Sequence, residues 1–159
     1  MDWSSENILF AALNNKVYSY NPIKKVPTKL LSISKINFGL LDDTTTTIHN
    51  QVANYVTSLK WLDEPNLLAI GTSNNKIILW DLMIEKCVSL IHDHDSRVAS
   101  LASNKCILTS GSRDGRILNH DIRMLNRSAI SSYLMHDREV CGLKWSQNGR
   151  YLCSGSSII

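Results

Sequence analysis

Three short stretches decide how this chain reads: Val56-Thr57-Ser58-Leu59-Lys60-Trp61, Val98-Ala99-Ser100-Leu101-Ala102 and Val140-Cys141-Gly142-Leu143-Lys144-Trp145. Their leading valines stand 42 residues apart, twice over. Each stretch alternates apolar with polar residues, the period of a strand with one buried face. Each is followed by a second strand ending in small residues: Leu67 to Thr72, Ile107 to Ser112 and Tyr151 to Ser156. Turns follow at Asn74-Asn75 and Asp114-Gly115, the latter a strong hairpin signal. Third strands fit Ile77 to Asp81 and Ile117 to Asp121. Outer strands fit Cys87 to Ile91 and Ala129 to Leu134.

A period of ~40–45 residues with four strands per unit is that of a WD-type β-propeller blade. Trp80-Asp81 is the dipeptide that names the repeat, and the next copy carries His120-Asp121. A degenerate copy opens the chain. Asp2-Trp3-Ser4 ends a first strand, Ile8 to Leu13 is a second, and Val17 to Asn21 a third with Tyr20 in the Trp slot. Residues 22 to 55 read as a long connection, with one strand near Lys29 to Ile33 and a surface loop at Thr44 to Thr47. The expected fold is all-β, a partial WD-repeat β-propeller of about three and a half four-stranded blades. Blade 1 takes 2–34 with a loop at 35–55, blade 2 takes 56–91, blade 3 takes 97–134, and an incomplete blade 4 takes 140–159. Propellers close with ~4–8 blades, so the chain reads as part of one, with open strand edges.

Composition narrows the function. Hydrophobic residues at 43% argue against disorder. A net charge of +3, with Lys and Arg read as scattered, gives no footprint for nucleic acid or a membrane surface. No apolar run approaches the ~18 residues of a membrane span, and no secretory signal is visible after Met1. The cysteines (Cys87, Cys106, Cys141 and Cys153) lack Cys-x-x-Cys spacing and read as reduced, mostly buried thiols. Asn126-Arg127-Ser128 matches a glycosylation sequon that has no meaning without such a signal.

His92-Asp93-His94-Asp95 tempts a metal or acid–base reading, but the repeat offers a structural one. His94 and His136 each lie four residues before a leading valine. In WD repeats that slot holds a histidine bonded to a turn aspartate, and Asp114 is the natural partner of His94. His120 reads as a core substitute for tryptophan. Trp80, Asp81 and Asp121 complete the structural polar set. Gly111-Ser112-Arg113-Asp114-Gly115 lies on a hairpin rather than a strand-to-helix elbow, and no nucleophile–base signature is visible. Asp42-Asp43 reads as a solvated pair. The expectation is a chain that is not an enzyme and takes no cofactor and no metal. For Arg97, Arg113, Arg116 and Arg123 a solvated face is the plain reading. Arg97 and Arg113 lie near blade loops, where propellers present binding residues, and both stand as candidates.

Several strings are more specific than a generic repeat: Asp2-Trp3-Ser4-Ser5, Ser96 to Leu101, Ser110 to Ile117, His120-Asp121-Ile122-Arg123 and Glu139 to Ser146. In this order they resemble the fizzy and fizzy-related family, WD-repeat activators of the anaphase-promoting complex. Val26 to Leu30 is closer to the fizzy-related branch. The resemblance implies a propeller that recruits substrates for ubiquitination by reading destruction-box and KEN-box degrons. It implies as partners the anaphase-promoting complex and degron-containing cell-cycle proteins, in nucleus and cytoplasm. Asp2 matches a family aspartate that meets basic degron residues, a role a carboxylate suits through charge-assisted bonds. Otherwise Asp2 is a mobile terminal acid. The family's N-terminal extension with its C-box, its Gly-Asn-Asp-Asn after Ser154-Gly155 and its Ile-Arg tail have no counterpart here. A third family groove, for the ABBA motif between the second and third blades, has both walls within residues 56 to 134. The alternatives are a truncated product without activity and a half-propeller scaffold that binds no degron.

Overall fold

The computed structural model describes residues 1–36, 54–62, 66–124 and 128–158. The first sheet runs in chain order through β1 (Asp2–Trp3), β2 (Leu9–Leu13), β3 (Lys16–Asn21) and β4 (Val26–Ser32). The second holds β5 (Val56–Leu62), β6 (Leu67–Thr72), β7 (Ile77–Asp81) and β8 (Lys86–Ile91). The third holds β9 (Val98–Asn104), β10 (Ile107–Ser112), β11 (Arg116–Asp121) and β12 (Ser131–Leu134). A two-stranded sheet of β13 (Val140–Trp145) and β14 (Leu152–Ser156) follows. Every pairing is antiparallel, as consecutive hairpins require.

The first sheet departs most from the sequence reading. Its outer strand starts at Val26 rather than near Lys29, and Ile33–Lys35 form a 3₁₀ turn. The cause is a tight hairpin. Asn21 Oδ1 accepts the amides of Ile23 and Lys24 at 2.9 and 3.4 Å, and Lys25 takes a φ of 54°. Asp81 and Asp121 close the matching turns with the same carboxylate-to-amide bonds. Thr44 to Thr47 and Asp42-Asp43 lie outside the described residues.

Two apolar layers hold the sheets face to face. Phe10, Val17 and Leu31 of the first sheet pack on Leu59, Trp61, Leu68, Ile70 and Ile78 of the second. Phe10 and Trp61 stack at a centroid distance of 5.2 Å. The opposite face of the second sheet, with Ala69, Ile77 and Leu79, meets Val98, Leu108 and Ile122 of the third. Each fully buried aliphatic side chain contributes about 1.5–3 kcal/mol.

The repeat is also written in its bulges. Val56 pairs with Thr72 and Ser58 with Gly71, leaving Thr57 unpaired. Ala99 and Cys141 are skipped at the same step of β9 and β13. The hydroxyl after each of the first two bulges then reaches the next sheet: Ser58 Oγ donates to Val98 O at 3.2 Å, and Ser100 Oγ to Val140 O at 2.7 Å. This approach needs glycine opposite. A Cβ on Gly71 would sit 2.2 Å from Ser58 Oγ, and one on Gly111 would sit 2.6 Å from Val140.

One sequence expectation fails outright. Cys87, Cys141 and Cys153 are exposed and Cys106 half-buried. Cys87 sits on an outer strand, and the other two lie on a two-stranded sheet whose faces are largely open.

Candidate functional site

The bulges place a cleft at one end of the inner strands. Its lining is Tyr55, Val56, Thr57, Arg97, Ala99, Glu139 and Cys141, around about 370 Å³. These are the residues before and within the bulge in three successive repeats, because a bulge swings its extra side chain off the strand's alternation. The backbone is pinned there each time. Tyr55 O, Arg97 O and Glu139 O accept the amides of Ser73, Arg113 and Ser157 at 2.9, 3.0 and 3.0 Å.

Arg97 is the hinge of the cleft. Its Nε and Nη2 each lie 2.5 Å from a Glu139 carboxylate oxygen, a two-pronged pair spanning 42 residues. Glu139 holds the Arg97 proton more tightly than usual, with the Tyr55 side chain adding to it. Arg97 in turn keeps the Glu139 carboxyl below its ordinary range, and Arg113 helps. Arg113 itself is exposed on the β10–β11 turn. So Arg97 and Arg113, the two candidate cations, share one rim. Glu139 and Tyr55 belong with them, although the sequence reading made neither a candidate.

Asp2 is placed differently. Its Oδ2 accepts from Lys60 Nζ at 2.8 Å and from the Trp61 amide at 2.7 Å, tying β1 to the second sheet. These two bonds hold the carboxylate against the second sheet. Its Oδ1 has no hydrogen-bond partner among the described residues.

The structural polar set gathers in the third sheet. His94 Nδ1 lies 3.0 Å from Asp114 Oδ2, and His94 Nε2 lies 2.8 Å from Ser110 Oγ. Burial depresses the His94 pKa against the pull of Asp114. Burial raises that of Asp114, but the amides of Arg116 and Asp95 and His94 itself outweigh it and keep the carboxylate charged. Neutral His94 then donates from Nδ1 and accepts from Ser110. A Ser–His–Asp line of this shape suggests a nucleophile, but Ser110 is 0% exposed and His94 2%. No substrate reaches that hydroxyl from solvent, so the line fastens hairpin to loop.

His120 occupies the tryptophan slot. Its Nε2 lies 3.2 Å from Asp93 Oδ2, which also accepts the Ala129 amide at 2.7 Å. Burial lowers the His120 pKa despite Asp93. His136 meets Ser154 Oγ at 2.8 Å. Trp80 packs against the first apolar layer, while Asp81 and Asp121 cap their turns. Arg123 draws the Asp121 pKa down to about 2. Among the described residues no group of three His, Cys, Asp or Glu side chains is arranged to hold a metal. None of the described helices is long and apolar enough to cross a membrane.

Known proteins agree with this geometry. The WD domain, G-beta repeat family matches residues 43–81, 85–121 and 128–157. An anaphase-promoting complex subunit cdc20 from Dictyostelium discoideum is 38% identical over 99% of this chain and 28% of its own length. From Arabidopsis thaliana, cell division cycle 20.5, a cofactor of the APC complex, is 37% identical over 99% of this chain and 31% of its own. Protein FIZZY-RELATED 1 of the same plant is 36% identical over 99% and 29%. A crystal structure of a mitotic checkpoint complex contains a similar chain, with a TM-score of 0.79 and 30% identity, covering 97% of this chain and 42% of that one. The chain thus spans about 30% of the length of the curated relatives it matches. WD repeats and these cofactor relatives point to adaptors rather than catalysts. The chain belongs to the WD domain, G-beta repeat family, and its relatives there are the Cdc20 and Fizzy-related proteins.

Proposed function

We propose that this chain is a protein-binding adaptor unit that presents short segments of cell-cycle proteins to the anaphase-promoting complex. The observation that carries this is the rim cleft, where three repeats project Tyr55, Arg97 and Glu139 around an open space of about 370 Å³. Such a rim offers a cation, a carboxylate and an aromatic ring to an extended peptide, with main chain already satisfied behind them. The relatives named as a subunit and as a cofactor of the anaphase-promoting complex support the choice of partner. Two further elements support the degron reading. Asp2 has one carboxylate oxygen outside its bonds to Lys60 and Trp61, and the second and third sheets stand where the resemblance puts the walls of an ABBA-type groove. Nucleus and cytoplasm are the compartments this role requires.

Titration of the chain with labelled KEN-box, destruction-box and ABBA peptides tests the reading. At least one should bind saturably, and Arg97→Ala with Arg113→Ala should weaken it about tenfold or more. No saturable binding by the folded chain would sink it.

A further inference from the structure

We propose that the outer edge between the first and second sheets is a separate docking groove for an acidic peptide segment carrying one apolar anchor. A cavity of about 270 Å³ opens there, lined by Phe10, Ser19, Val26, Thr28, Leu30 and Leu82 among others. Its origin is a packing mismatch visible in the register. Ser19 pairs with Phe10 as Leu79 pairs with Ala69, so serine holds in the first sheet the slot that leucine holds in the second. Between the second and third sheets Leu79 is fully buried. There Ile122, which follows Asp121 as Leu82 follows Asp81, closes the edge at 3% exposure. Between the first and second sheets the serine leaves volume unfilled, and Leu82 stays half-exposed. The cavity is below the ~300–1,000 Å³ of small-molecule sites, and it suits a single side chain. Exposed Ile23, Val26 and Met83 extend its apolar mouth, an arrangement that marks contact surfaces when clustered.

Charge selects the occupant. Residues 1 to 36 carry Lys16, Lys24, Lys25, Lys29 and Lys35 against only Asp2 and Glu6. That segment's excess equals the +3 of the whole chain, so the remaining residues are balanced. At the groove itself this charge is carried by the β3–β4 turn, where Lys24 and Lys25 stand next to Val26, while Lys16 pairs with Leu13 and Ser32 at the far end of the sheet. Lys24 lines the cavity, Lys25 is exposed on the same turn, and Asp2 is already paired with Lys60. An acidic segment is steered to this edge and a basic one repelled.

The test is fluorescence anisotropy on the full chain with a short labelled peptide of glutamates flanking one leucine. Its counterparts carry lysines for the glutamates, or serine for the leucine. The acidic leucine peptide should bind saturably, and Lys24→Glu or Val26→Asp should each weaken it about tenfold. Both residues are solvent-facing, so thermal melts should match the parent, and Arg97→Ala should leave this binding unchanged. Equal binding of the lysine or serine peptide, or indifference to both substitutions, overturns the proposal. So does binding to anionic vesicles without binding to the acidic peptide.

Discussion

The second and third sheets share one backbone and are held by opposite chemistry. The second is apolar on both faces. Leu68, Ile70 and Ile78 face the first sheet, and Ala69, Ile77 and Leu79 face the third. Its hairpin is tied by neutral groups: Ser73 Oγ accepts the Tyr55 amide at 3.0 Å and donates to Asn54 Oδ1 at 3.1 Å. The third sheet replaces these with polar lines. Thr109 and Asn119 stand where Ala69 and Leu79 stood, and Thr109 Oγ1 donates to Asn119 Oδ1 at 2.7 Å. Trp145 Nε1 donates back to Thr109 at 3.1 Å, so the joint to the next sheet runs through hydrogen bonds. Its hairpin hangs on His94, Asp114 and Ser110. A 42-residue period thus specifies strands, bulges and turns, while the choice at a few inward positions sets how each joint responds to mutation and pH.

The contrast can be broken hardest at Leu79. Leu79→Ala should cost about 3 kcal/mol by urea unfolding, since it opens a cavity in an apolar joint. Next comes Asp114→Ala, which strips His94, the Asp95 amide and the Arg116 amide of their acceptor. A loss of about 2–3 kcal/mol is expected from the orphaned buried groups. The matching cut in the second sheet, Ser73→Ala, should cost about 1 kcal/mol or less, because its partners reach solvent.

Acid separates the sheets more gently. His94 and His120 both titrate below 6.5 when folded, each driven down by burial. The unfolded chain therefore takes up their protons first as pH falls. Stability from these groups is complete above 6.5, and declines below it toward the folded values, by about 1.4 kcal/mol for each unit of depression. His120→Trp, which puts the second sheet's residue into the third, should flatten that decline below pH 6.5 in denaturant midpoints. An unchanged slope would place the acid sensitivity elsewhere. The smallest effect belongs to Arg97→Ala. The part-exposed pair with Glu139 should be worth no more than about 1 kcal/mol of stability.

Much of this was legible. The spacing of Val56, Val98 and Val140 placed the inner strands, and the His94-to-Asp114 offset named the pair the structure brings to 3.0 Å. The bulges were also written there, though unread. Val56 and Leu59 both pack on the first apolar layer, yet they stand three positions apart, which a strict period of two forbids. Reading that break would have exposed the rim and with it Tyr55 and Glu139. Ser110 was hidden because a serine among Thr109, Gly111 and Ser112 looks like filler until the fold sets it against His94. The partners of Asp2 could not be read, since Lys60 and Trp61 lie 58 and 59 residues away. The first outer strand was misplaced because Asn21 caps its turn where the other repeats use aspartate.

The central claim, that the bulged rim binds peptide segments, is tested most directly by hydrogen–deuterium exchange on the full chain saturated with its tightest-binding degron peptide. New protection should gather at residues 54–57, 96–99 and 138–141, and Arg97→Ala should reduce it at a fixed peptide concentration. Protection confined to other segments, or unaffected by Arg97→Ala, would contradict the account.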